Sequence, residues 1–295
     1  MRLRRANRRG PSGAPRKARG ARGRGPLISA LAAGLVLIAV PVVDAGADTA
    51  IDRRGPSGPA LVPEARGAAG APEPDQYAPA PGAGSTTLSD EWKRSTWAYV
   101  EEPVTARSEP RDSARAVKRL STLTSDRTPE LVLALVLRRD AGGAEWVKVR
   151  LPMRPNNTTG WVRRGALGAF RVVRTALRID RRGLGARLYR GGRMVWHSKI
   201  GIGKRRWPTP AGRFYIRERL VPARRNSIYG VFAFGTSAYS PTLTDWPGGG
   251  VIGIHGTNQP GLIPGRISHG CVRVRNGPIS RLRRLMPLGT PVRIY

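Results

Sequence analysis

Cysteine is almost missing from this chain of 295 residues; Cys271 stands alone. A single thiol excludes an intramolecular disulfide framework and any metal site built from several cysteines, while leaving a catalytic thiol open. Acidic residues are scarce too, 19 against 52 Lys and Arg, for a formal net charge of +33. Histidine occurs three times and aromatics make up 6% of the chain. Only one stretch near the N-terminus is apolar over a long distance. What is abundant is Gly (37) and Pro (26), which promise irregular segments. An apolar fraction of 40% nevertheless argues against wholesale disorder, and the length suits about two domains.

The positive charge is unevenly spread. Residues 1–25 hold 10 basic and no acidic residues, 26–95 hold 5 and 8, 96–168 hold 13 and 8, and 169–295 hold 24 and 3. The basic residues are mostly Arg, scattered rather than clustered with stacking aromatics. No zinc-finger spacing, helix-turn-helix pattern or RNA-binding aromatic motif accompanies them, so nucleic acid is not the expected partner. A basic surface of this kind suits an anionic wall polymer or lipid, on top of an Arg-rich composition.

Residues 1–25 have no apolar periodicity and read as a disordered basic arm. The run at 27–43, LISALAAGLVLIAVPVV, is uncharged. A basic flank before such a run keeps the arm in the cytoplasm and sends the rest of the chain outward. Residues 26–43 are therefore expected to form a signal peptide or a membrane anchor helix; Ala45-Gly46-Ala47 offers a small-residue cleavage site, while the length is at the short end for a span. The expected location is the cell envelope, outside the cytoplasm. Residues 44–95, rich in Ala, Gly and Pro, read as a flexible linker.

Residues 96–168 carry short apolar runs at 97–100, 131–137, 146–151 and 161–162, separated by Gly-, Pro- and Asn-rich turns. That spacing predicts a small barrel or sandwich. The run at 131–137 fits a strand or a helix by periodicity alone. EWVKVRLP and GWVRRGAL resemble the closing strands of a bacterial SH3-like domain, and ARSEPRDSARAV resembles its opening strand and loop. The resemblance implies binding to peptidoglycan or a partner; Trp146 and Trp161 read more simply as core.

Residues 169–295 alternate in strand fashion, with helical periodicity only near 279–285. Cys271 lies in Ser268-His269-Gly270-Cys271-Val272-Arg273, and His255 falls within sixteen residues of it. A thiol needs a nearby base to become a nucleophile. A histidine on a neighbouring strand can approach across a sheet, and Gly253, Gly256 and Gly270 permit close backbone approach. A buried structural cysteine with incidental histidines is the competing reading of these residues alone.

The wider pattern resembles the L,D-transpeptidase catalytic domain, the YkuD family. It comprises Gly201-Ile202-Gly203, Thr209-Pro210-Ala211-Gly212-Arg213-Phe214, His255-Gly256-Thr257, the Ser268–Arg273 hexad and Asn276. The resemblance implies a mostly β fold: an L,D-transpeptidase-like β-sandwich with little helix over 169–295, preceded by a small SH3-like β-barrel over 96–168 and a disordered N-terminal region with one apolar helix. It implies Cys271 as nucleophile toward a peptidoglycan stem tetrapeptide, with release of D-Ala. It further implies His255 as general acid/base oriented by the Gly256 carbonyl, His269 as support, and the Gly270 and Cys271 amides at the oxyanion. Arg273 and Ser268 are expected at the substrate, and Tyr239 and Trp246 are candidates for its wall. No metal or cofactor is required. The membrane enters as a partner through 26–43 if that run is retained. Aminolysis of the thioester would give a 3→3 cross-link and hydrolysis a carboxypeptidase; protein attachment to peptidoglycan is a further outcome. A papain-like wall peptidase is disfavoured because its cysteine precedes its histidine. A noncatalytic wall-binding protein remains the reading from another class.

Overall fold

The computed structural model describes residues 60–65, 75–77, 84–224, 226–244 and 249–295. The expected basic arm, the apolar helix at 26–43, most of the 44–95 linker and Trp246 lie outside them. Among the described residues the chain is mostly β, with one α-helix of ten residues, as the composition of its runs implies.

A short strand, β1 (Leu61–Pro63), comes first in the chain but pairs with the second of two sheets. The first sheet contains β2 (Asp75–Tyr77), β3 (Ser85–Thr87), β4 (Ser95–Tyr99), β5 (Val104–Arg107), β6 (Ala116–Leu120), β7 (Leu131–Arg139), β8 (Glu145–Arg150), β9 (Thr159–Arg163) and β10 (Phe170–Val173). Its order is β2-β10-β4-β7-β8-β9-β5-β6, with β3 also on β7. The run at 131–137 is a strand because it is central: β4 and β8 pair on either side, and its first four residues are buried. Burial on both faces is what turns alternation into a continuous apolar run. Trp146 is core, its indole N–H donating to Asp140 Oδ2 at 2.9 Å. Trp161 is not; it sits half-exposed on the outer face of β9, where every second residue points outward.

Two expected boundaries shift. Residues 61–63, 75–77 and 85–87 are strands rather than linker, and the 88–94 turn is built: Leu88 is buried and the Asp90 carboxylate accepts three backbone N–H groups at 2.7–3.0 Å. A Gly- and Pro-rich average over fifty residues hides such short ordered pieces. The two sheets meet beyond Val173, not at 169, since Phe170–Val173 pairs with β4. Local alternation cannot say which sheet a strand will join.

The second sheet contains β11 (Thr175–Asp180), β12 (Gly185–Arg190), β13 (Arg193–Gly203), β14 (Gly212–Pro222), β15 (Ala233–Tyr239), β16 (Val251–His255), β17 (Gly265–Ser268), β18 (Val272–Val274) and β19 (Pro291–Ile294), with α1 (Asn276–Leu285) between the last two. The path runs β14-β15-β16-β18-β13-β12-β11-β19 and returns to β14. β13 and β14, eleven residues each, serve two layers. The first half of β13 pairs with β12 and its end with β18 and β17. β14 pairs first with β19, then with β15. The enclosed core includes Ile200, Ile202, Phe214, Phe234, Ile254 and Val272. The helix closes it with Ile279 and Leu282, one turn apart on one face.

The sheets share a buried seam. Trp97, Leu131, Leu133 and Val173 of the first pack against Tyr215 of β14. Beside them Arg217 forks onto Glu130 at 2.9 and 2.5 Å, and both side chains are only about 5% exposed. Glu218 accepts the Thr124 and Thr128 hydroxyls at 2.5 and 2.9 Å. Charges are buried at this depth only when paired and hydrogen-bonded.

Candidate active site

The loop between β17 and β18 presents Cys271. Its shape is imposed by hydrogen bonds from two hydroxyls. The Ser268 hydroxyl donates to the Cys271 carbonyl at 2.5 Å and accepts the Gly270 N–H at 3.1 Å. The Thr209 hydroxyl accepts the Gly203 N–H at 2.9 Å and donates to the Gly270 carbonyl at 2.7 Å. Gly270 has φ +122°, where a side chain would also run into Ile252 at 2.8 Å. The Thr-Pro-Ala-Gly-Arg-Phe segment thus works through its threonine, which braces the cysteine loop from beneath. The Ser268 hydroxyl is buried and spent inside the loop, although the residue still borders the cleft. The Gly270 amide is likewise engaged by Ser268, which takes it out of the expected oxyanion pair.

The thiol faces β16. Gly253 donates its N–H to Cys271 Sγ at 3.3 Å. A Cβ built at Gly253 would lie 3.8 Å from Sγ and 3.7 Å from the His255 ring. Thiol and imidazole therefore sit over the same glycine, on the face that residues two apart in a strand share. The His255 ring packs edge-on against Tyr229 at 5.0 Å. Its Nδ1 lies 2.6 Å from the Gly256 carbonyl. A carbonyl only accepts, so Nδ1 carries the proton and Nε2 holds a lone pair. Burial pushes the His255 pKa down to about 4, with the nearby Arg273 charge adding to the effect and the Gly256 carbonyl opposing it. The ring is neutral at pH 7, the form a general base needs.

Arg273 follows on β18, beside His255 in the parallel register, and gives a hydrogen bond to Gln259 Oε1 at 3.1 Å. Asn276 at the start of α1 accepts the Thr257 N–H at 3.1 Å and so ties the His-Gly-Thr turn to the helix. His269 packs against Trp207 in a tilted arrangement, ring centres 4.0 Å apart. Tyr229, Ser240, Leu243, Gly250, His269 and Arg273 are among the residues that surround the thiol and His255 in an open cleft. Among the described residues no group of three or more His, Cys, Asp or Glu is placed to hold a metal.

Of the sequence-predicted residues, the structure brings together Cys271, His255, Gly256, His269, Gly270, Ser268 and Arg273. Tyr239 is elsewhere: it lines a separate cavity with Lys118, Arg119 and Arg217, and its neighbour Ser240 faces the cleft instead. Adjacent strand residues point to opposite faces, so choosing the aromatic selected the wrong side. His197 is exposed on β13, far from this chemistry in register. Sequence reasoning missed Tyr229, which walls the imidazole and left no signal. It named Gly253 for close backbone approach and Thr209 within the motif, but not that the first donates to the sulfur and the second braces the loop.

A β-domain with a half-buried thiol held against a backbone amide, beside a neutral imidazole with its lone pair available, is laid out for thiol nucleophile chemistry. Comparison with known proteins agrees with that class. Residues 176–294 match the family model of the L,D-transpeptidase catalytic domain, YkuD. The chain is 32% identical over 108 residues to YkuD of Bacillus licheniformis, covering 37% of this chain and 58% of that protein. It is 34% identical over 97 residues to YkuD of Bacillus subtilis, covering 32% and 50%. The chain thus spans about half the length of the curated relatives it matches. Among solved structures, Bd1075 of Bdellovibrio bacteriovorus is 32% identical, with 42% of this chain and 47% of that chain covered at a TM-score of 0.34.

Proposed function

We propose that this protein is a peptidoglycan L,D-transpeptidase working through a Cys271 thioester. The observation that carries the reading is the pairing of thiol and neutral imidazole over Gly253 at the floor of the cleft. The Cys271 thiol passes its proton to His255 Nε2 as sulfur bonds to the carbonyl of the third stem residue. Collapse breaks the C–N bond, and the imidazolium returns the proton to the departing D-Ala amine. The acceptor's side-chain amine then loses a proton to Nε2, bonds to the same carbonyl and expels the thiolate, which takes that proton back from the imidazolium. The product is a 3→3 cross-link. The Gly253 N–H supports the thiolate at both ends of the cycle.

Water in place of the amine gives a carboxypeptidase, and a protein amine gives protein attachment; the same site serves each. Export through residues 26–43, with or without cleavage, belongs to this reading. So does retention on the wall by residues 96–168 as an SH3-like module, and attraction of the basic surface to anionic wall polymers.

Intact mass of the full chain after a carbapenem tests the nucleophile. A covalent adduct is expected on the wild type and none on Cys271→Ala; no adduct on the former, or one on both, removes the assignment. Incubation with a disaccharide-tetrapeptide then separates outcomes, since cross-linked dimers indicate transpeptidation and D-Ala release without dimers indicates hydrolysis.

A further inference from the structure

One wall of the cleft is made by the two ends of the segment joining β15 to β16. Ser240 and Leu243 stand on one side, Gly250 and Val251 on the other. Within this segment Ser240 N–H reaches the Gly250 carbonyl at 2.8 Å. Three of its carbonyls are satisfied from far away in sequence. Arg154, in the turn between β8 and β9 of the first sheet, donates from Nε to Ser240 O at 2.8 Å. Its Nη2 donates to both Leu243 O at 2.8 Å and Gly249 O at 2.9 Å. One planar guanidinium therefore staples both ends of the segment, and it also lies over the Tyr239 ring at 5.0 Å.

Three further details fit a built clamp. Gly250 has φ +79°, and a Cβ there would come within 2.6 Å of Arg154 Nη2 and 2.1 Å of Leu243 O, so a glycine is what lets the guanidinium and the wall close together. Asn156 takes both polar backbone groups of Tyr239, donating to its carbonyl at 2.8 Å and accepting its N–H at 2.9 Å. Asn157 anchors the same turn by accepting the Arg213 N–H at 2.7 Å at the start of β14.

We propose that Arg154 and Asn156 are positioning residues of the acyl-transfer site, so that the first sheet completes the substrate wall of a cleft whose nucleophile lies in the second. The inference rests on the reading of Cys271 as the nucleophile. It assigns the first sheet a part in substrate placement that does not depend on binding the wall. Neither residue touches the reacting atoms; Arg154 holds the carbonyls of Ser240, Leu243 and Gly249, and Asn156 holds the Tyr239 backbone that leads into Ser240.

The test uses the full chain, with a tetrapeptide donor for turnover and iodoacetamide for the thiol itself. Arg154→Ala is expected to raise KM for the donor about tenfold while kcat stays within about threefold, because ground-state placement is what is lost. Alkylation of Cys271 by the small reagent stays at the wild-type rate. Arg154→Lys is expected to show the same KM loss despite keeping the charge, since one ammonium cannot span three carbonyls in a plane. Asn156→Ala gives a smaller rise in KM and carries the test if Arg154→Ala does not fold. Unchanged KM in the Arg154 and Asn156 variants overturns the proposal. So does a fall in alkylation that matches the fall in turnover, which would mean the thiol has moved rather than the wall. A wild type that turns over no donor overturns the functional reading by itself, and the proposal with it.

Discussion

His255 makes the folded state sensitive to acid in a calculable way. Its pKa is held down to about 4 by burial and by Arg273, against an ordinary value of 6.5. The ring is thus neutral in the native state over a range where the unfolded chain would protonate it. The contribution to stability is complete above pH 6.5, declines as pH falls toward 4, and is gone below that. The full shift corresponds to about 3 kcal/mol, and the part lost between pH 7 and pH 4.5 is about 2 kcal/mol. Other groups also couple folding to pH. Glu218 and Asp126, whose carboxyls are raised mainly by burial, act in the opposite direction, contributing stability at low pH that is lost as pH rises. The measurement is therefore a difference. Urea unfolding of Cys271→Ala and of Cys271→Ala/His255→Gln at pH 7 and pH 4.5 isolates the imidazole in the absence of the thiol. The pH-dependent loss is expected to be about 2 kcal/mol smaller in the glutamine variant, with equal m-values. Identical losses in the two proteins would show that the ring protonates as easily folded as unfolded, and the picture of a buried neutral base would fail.

Thr209→Val keeps shape but leaves the Gly203 N–H and the Gly270 carbonyl without their partner; a loss of about 3 kcal/mol is expected in urea unfolding, with slower carbapenem acylation, and wild-type values would remove the brace. Gly203→Ala would drive a Cβ to 2.1 Å from the Trp207 carbonyl, a backbone atom that cannot swing aside, so a loss of about 1–3 kcal/mol is expected by the same measurement, and a neutral result would refute the close approach. Glu130→Ala strands the Arg217 charge in the seam and is expected to cost about 3–5 kcal/mol, whereas the double change Glu130→Leu/Arg217→Met recovers most of it; equal losses in single and double variants would show that packing, not the stranded charge, sets the cost.

The candidate thiol and imidazole were the legible part of this sequence. With one cysteine and three histidines, few pairings exist, and the order His255 before Cys271 already separates the candidates. Strand alternation and the lone helical stretch were legible for the same reason, because each carries its own period. Contacts between distant segments were not. Nothing in Arg154 or Asn156 announces a bond to residues more than eighty positions later, and Thr209 looks like one more turn residue until its hydroxyl is seen beneath Gly270. The run at 131–137 shows the same limit from the other side: its residues permit a helix, and only the neighbours β4 and β8 decide for a strand.

The circuit of strands that leaves β14 and comes back to it through β19 has a consequence for the thiol. An open sheet ends in rows of unpaired amides that invite other chains, and small domains lacking a large core are commonly fastened by covalent cross-links. Here two long strands turn the corners and the ring closes on hydrogen bonds alone. The architecture needs no sulfur to hold it shut, so the one thiol the chain possesses is never claimed by the scaffold.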